Sequence, residues 1–173
     1  MSHPSSPPDS VILGIDPGFD RCGYAVVRSH HSTQSLQLLV ADCIQTDRRA
    51  TKLDRFHQIY DQLELIWQQF PLQAVAMESL YFSRNVSTAL PVSEVRGLIA
   101  GLGFSHQVPI FEYTPAQVKI AVTGYGRADK KQIQHMLCQL LRLETIPKLD
   151  DTSDAIGVAL THAVSTRYPT AHV

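Results

Sequence analysis

The stretch AVAME, residues 74–78, sets four apolar residues in a row and closes them with a glutamate. It lies between two long segments of helical character, one ending at Pro71 and one beginning near residue 86. An apolar run this short, with no alternation, is the pattern of a strand covered on both faces, which in a chain of this kind means a parallel strand. It commits the chain to layers, with a sheet in the middle and helices on either side.

The neighbouring segments agree. Over residues 51–70 the apolar positions Leu53, Phe56, Ile59, Tyr60, Leu63, Ile66, Trp67 and Phe70 recur every three or four residues, with Pro71 to stop the helix. Before it, VILGI (11–15), GYAVVR (23–28) and LQLLVADCI (36–44) read as three strands, the first two joined by a Pro-Gly turn. After it, a second helix is expected over residues 86–105, where Pro91 is tolerable only in the first turn. VPIFEY (108–113) makes a fifth strand, and Thr114-Pro115 is a cap followed by proline at the first helical position. Three shorter helices follow, near 115–122, 129–142 and 152–165. The expected fold is α/β, one five-stranded mixed sheet flanked by helices on both faces. Residues 11–173 read as a single domain behind a flexible Ser/Pro-rich extension, residues 1–10.

Composition limits the function classes. Hydrophobic residues at 44% and charged ones at 18% are ordinary globular values, which excludes a disordered or fibrous chain. Three scattered cysteines form neither a disulfide framework nor a zinc knuckle, and this fits a reducing cytoplasm. No apolar run approaches a membrane span. The formal charge of −1 excludes a uniformly basic surface, yet residues 119–148 carry six Lys and Arg against two Asp and Glu. Positive charge is concentrated in one part of a mildly acidic chain.

Four acids stand out, each with an ordinary alternative. Asp16 closes the first strand, where Asp-Pro-Gly is also a favoured turn. Glu78 closes AVAME at the edge of a buried strand, where a salt bridge is the plain alternative. Asp151 and Asp154 lie three apart at a helix start and share a side; taken alone they read first as capping residues, and Asp150 fits the cap role as well as either. Taken together they point elsewhere, because strand-end and helix-start acids meet only across a site. Clustered carboxylates repel and need cations, and hard oxygen ligands select Mg²⁺ or Mn²⁺, with phosphate as the natural third party. Two ions ~3.5–4 Å apart suit in-line displacement at phosphorus, so the set predicts phosphodiester hydrolysis.

The blocks ILGIDPGFDRCGYAVV, AMESLYFSRN, ALPVSEVRGLIAG, PIFEYTPAQVKIAVTGYGRADKKQIQHML and DDTSDAIGVALTH occur in this order over nearly the whole chain after residue 10. In them the chain resembles the RuvC family of bacterial Holliday junction resolvases. The resemblance implies a ribonuclease H-like fold, with Asp16, Glu78, Asp151 and Asp154 as metal-binding catalytic acids, two Mg²⁺ per subunit and Mn²⁺ able to substitute. It implies a homodimer that nicks two strands of like polarity at a four-way DNA junction, in recombination and repair, beside a branch-migration complex of the RuvA/RuvB type. Lys119 and Lys130 match basic positions of the family, and with Lys131 and Arg127 they are the expected DNA contacts. Lys130 and Lys131 stand near a helix N-terminus after a glycine-containing loop, which suits phosphates, although lysines on a helix are ordinarily just solvated. Tyr81 and Phe82 stand where the family stacks an aromatic against junction bases, with core packing as the alternative.

On the second helix Ala89, Gly97, Leu98, Ile99, Ala100, Gly101 and Leu102 serve equally as a dimer face or as monomer core. His162, eight residues after Asp154, stands ~12 Å along the helix and is expected to be a satisfied core histidine. Three other readings stay open. Actin-like ATPases share the strand ending in I-D-x-G but need two such domains. A YqgF-type ribonuclease H-like nuclease and a non-catalytic junction-binding subunit are the nearer alternatives.

Overall fold

A computed structural model describes residues 9–79, 86–145 and 149–167. Five strands and five helices follow in the order β1 (Ser10–Asp16), β2 (Arg21–Ser29), β3 (Leu36–Gln45), α1 (Lys52–Gln69), β4 (Ala74–Glu78), α2 (Val86–Ser105), β5 (Ile110–Tyr113), α3 (Pro115–Thr123), α4 (Lys130–Leu141) and α5 (Asp150–Arg167). The sheet order is β3-β2-β1-β4-β5. β1 pairs antiparallel with β2 and parallel with β4, so it lies where the meander gives way to crossovers. In open sheets of this kind ligands gather at such a switch, beyond the carboxyl ends of the strands.

Local chemistry explains most boundaries. Thr51 caps α1 by accepting a hydrogen bond from the Asp54 N–H, and Ile59, Leu63, Ile66 and Trp67 form its buried stripe. α3 and α4 both open on capping boxes, Thr114 with Gln117 and Asp129 with Gln132. Two expectations change. Pro91 lies inside α2, beyond the first turn, where its missing N–H removes one helical hydrogen bond. α5 begins at Asp150, two residues early, so Asp150 and Asp151 belong to its first turn.

Strand parity divides the core. Val11, Leu13, Ile15, Val75 and Met77 point to a face covered by α1 and α2, with Leu63, Trp67, Val95, Ile99 and Leu102 packed there. Ile99 and Leu102 therefore belong to the monomer core and drop out of the candidate dimer face. Gly97, Ala100, Gly101 and Phe104 lie on the outer side of α2, where Phe104 is 87% exposed. The alternate parity, Ile12, Ala25, Ala74 and Ala76, meets α5 through Ala155, Ala159 and Ala163, with α3 and α4 behind. Asp16 and Glu78 share this second parity and so end on the α5 face.

Candidate nucleolytic site

β1 and β4 run side by side to a last main-chain pair, Ile15 with Met77, and each then ends on its acid. Asp16 is paired across β2 with Gly23, and Gly23 is what admits the third acid. A Cβ at Gly23 would run into the Asp151 carbonyl oxygen and stand 3.0 Å from the Thr152 nitrogen. A Cβ at Gly14 would run into the Ala155 carbonyl oxygen and stand 2.7 Å from the Ala159 Cβ. Bare backbone at both positions lets the first turns of α5 lie directly on the sheet, which carries Asp151 and Asp154 to the strand ends.

The electrostatics record the convergence. Burial raises the Asp16 carboxyl from its ordinary range to about 7, and the charges of Asp154, Asp151 and Glu78 push it the same way against Lys130. Glu78 is raised by burial and by Asp154, with Lys119 opposing. Asp154 is raised by burial, then by Asp150 and Asp151, with Lys130 again opposing. Asp16, Glu78 and Asp154 resist ionising first because they are buried and then because other carboxylates are near, the effect expected of acids sharing a site.

Three clefts surround them. One of about 250 Å³ is lined by Asp16, Pro17, Glu78, Ser79, Val92 and Arg96. Another of about 150 Å³ joins Glu78, Lys119, Ser153 and Asp154, and a third of about 570 Å³ runs from Gly18 and Arg21 to Asp151. Ser79 Oγ, Ser153 Oγ and Asp151 Oδ2 are buried and take no hydrogen bond among the described residues. Arg21 Nε stands 3.1 Å from that Asp151 oxygen without aiming its N–H along the line, so the pair is ionic only. Unpartnered buried oxygens are costly, and a set of them beside repelling carboxylates suits a hard cation with its waters. Among the described residues no three Asp, Glu, His or Cys side chains form a ready-made cage.

The basic residues divide. Lys130 opens α4 and turns toward the acids, 3.0 Å from Asp150 and 3.9 Å from Asp154. Lys119 lies on α3 in the cleft with Glu78 and Asp154. Lys131 and Arg127 are exposed and make no ion pair among the described residues. Tyr81 and Phe82 lie outside the described residues. His162 is buried at 4% exposure, bonded to the Tyr113 hydroxyl at 2.7 Å, and held by burial at about 4, a satisfied core histidine as expected.

Sequence reasoning missed the groups that hold the acids. Arg55 donates to the Phe19 carbonyl, the Asp20 carboxylate and Thr46 Oγ1, and stacks 3.9 Å over the Phe19 ring, which fixes the turn after Asp16. Arg96 donates to the Glu78 carbonyl. No spacing announces these contacts, whereas glycines inside strands at 14 and 23 did offer a signal of close backbone approach.

A family model described as crossover junction endodeoxyribonuclease RuvC matches residues 12–162. Proteins of that name from Brevibacillus brevis and Alkaliphilus metalliredigens are 43% and 42% identical, over 88% and 90% of this chain and 90% and 93% of theirs. The solved Thermus thermophilus RuvC in complex with Holliday junction substrate superposes with a TM-score of 0.88 at 31% identity, covering 93% of this chain and 97% of that one.

Proposed function

The chain belongs to the RuvC family of crossover junction endodeoxyribonucleases, and from that premise we propose that it resolves four-way DNA junctions by Mg²⁺-dependent hydrolysis of paired phosphodiesters. The observation that carries this reading is the convergence of acids drawn from β1, β4 and α5, where burial first and then the charges of Asp154, Asp151 and Glu78 raise Asp16 to about 7. A fold spends stability on such a cluster where a cation is to be held.

Asp16 and Glu78 at the strand ends, with Asp151 and Asp154 on α5, would hold two Mg²⁺ per subunit, and Mn²⁺ substitutes by the same oxygen chemistry. Bound there, the ions supply activation of the attacking water and neutralise charge at the leaving 3′ oxygen. The protein groups do the rest. Lys119 stands in the cleft beside Glu78, placed to meet a phosphate near the acids. Lys130, beside Asp150 and Asp154, offsets the acids' charge and meets DNA phosphate near the opening of α4. Arg127 and Lys131 extend positive charge along the backbone path, and Tyr81 or Phe82 stacks on bases at the junction centre.

Paired cuts require two sites, and a two-fold dimer matches a near two-fold junction. Leu90, Ala100 and Phe104 beside Gly97 and Gly101 form an apolar outer face on α2, the surface that suits a second copy. Family membership implies work beside a branch-migration complex of the RuvA/RuvB type in recombination and repair. The free thiols of Cys22, Cys43 and Cys138 fit a cytoplasmic enzyme, and no described helix is long and apolar enough to cross a membrane.

Cleavage of a synthetic mobile junction in Mg²⁺ tests the reading. The natural chain should nick two opposed strands, and Asp16→Asn should lose at least about 10²-fold in rate. Equal nicking by both, or preference for an RNA/DNA hybrid over the junction, would overturn it.

A further inference from the structure

Glu78 is the last residue of β4, and within the sheet its main chain is held on one side only. The ladder to β1 stops at Ile15 with Met77, while the ladder to β5 continues one residue further, to Glu78 with Tyr113. The Ser79 N–H reaches the Tyr113 carbonyl at 2.7 Å. The carbonyl of Glu78 itself is met from α2. Arg96 Nη1 donates to it at 2.5 Å, while Arg96 Nη2 pairs with Glu112 Oε1 on β5 at 2.7 Å.

The fork is built rather than incidental. The Arg96 side chain is 10% exposed, so its planar head is fixed by packing, and its two nitrogens address two neighbouring strands. It forms part of the wall of the cleft that holds Asp16 and Glu78. Its hydrogen bond is to the peptide, not the carboxylate, and the charges that move the Glu78 carboxyl are those of Asp154 and Lys119. The ion pair has a half-exposed partner, Glu112 at 52%, and pairs of that kind add little to stability. What the fork does provide is direction. With the peptide of Glu78 held between the β5 ladder and Arg96, its side chain leaves the strand at a set angle beside the cleft that it lines with Asp16.

We infer that Arg96 is a positioning residue for Glu78, a two-point brace from α2 that aims this acid into the shared site before substrate or metal arrives. The inference rests on the reading of Glu78 as a catalytic acid. A misplacement of about 1 Å at such a group costs on the order of 10²-fold in rate. Lysine cannot reproduce the fork, because one ammonium cannot lie in the plane of both contacts.

The test compares the natural chain with Arg96→Gln, Arg96→Lys and Glu112→Gln. Single-turnover cleavage of a synthetic junction, junction affinity in EDTA, melting temperature and Mn²⁺ affinity by calorimetry are measured for each. Arg96→Gln should cleave roughly 30- to 100-fold more slowly and bind Mn²⁺ more weakly, with junction affinity within about threefold of the natural chain. Arg96→Lys should recover part of the rate, and Glu112→Gln should lose less than about tenfold. Natural cleavage and Mn²⁺ affinity in a folded Arg96→Gln would overturn the proposal, as would losses that only follow melting temperature. Should Arg96→Gln not fold, natural rates and Mn²⁺ affinity in both other variants would overturn it. Failure of the natural chain itself to nick junctions would instead sink the resolvase reading beneath it.

Discussion

The two faces of the sheet are packed by different means. Under α1 and α2 large side chains interlock, Leu63, Ile66 and Trp67 against Leu13, Ile15 and Val75. Under α5 backbone approaches backbone over Gly14, Gly23, Ala155 and Ala159. Interlocked side chains absorb small changes by shifting rotamers, whereas a helix seated on bare backbone has nothing to yield but its own position. The acids stand on the second face. Binding strength can be supplied by either kind of packing, but the placement of Asp151 and Asp154 is supplied by the tight one.

The largest test of this contrast is Gly23→Ala. Its new Cβ meets the Asp151 carbonyl, so the first turn of α5 must lift. Junction cleavage should fall by about 10²-fold or more, with a stability loss of only roughly 1–3 kcal/mol. Leu63→Ala on the opposite face should reverse the pattern, losing about 2–5 kcal/mol in denaturant titration while retaining its rate well below the melting temperature. Natural cleavage by Gly23→Ala would end the distinction.

Protonation sharpens it further. His162 on α5 sits at about 4, below its ordinary 6.5, so the folded state holds it neutral and binds fewer protons than the unfolded chain between those values. Its contribution is intact above pH 6.5 and is lost as pH falls toward 4, by up to roughly 2–3 kcal/mol, and His162→Gln should show a flatter profile in that window. Asp16 runs the other way. Raised to about 7 from 3.8, it keeps its proton in the fold while the unfolded chain releases it, so stability declines as pH climbs between those values. Asp16→Asn removes that penalty, and at pH 8 in EDTA it should be more stable than the natural chain by roughly 1–2 kcal/mol.

Much of this was readable in the sequence, and unequally. The α1 stripe, the cap at Thr114, and the ends of β1 and β4 follow from local rules that act within a few residues. The four acids were visible one by one, each beside a local alternative, and their meeting needed the topology. Pro91 shows local preference giving way: the apolar inner face of α2, with Val95, Ile99 and Leu102, carries the helix through it. Arg96, Arg55 and the turn of Lys130 toward Asp150 stayed hidden because periodicity says which face a residue is on and nothing of what lies across from it.

The acids come from the first strand, the fourth strand and the fifth helix, with the rest of the described chain threaded between them. Synthesis delivers Asp16 early and Asp151 at the close, so a half-made polypeptide on the ribosome carries a sheet but no working scissors.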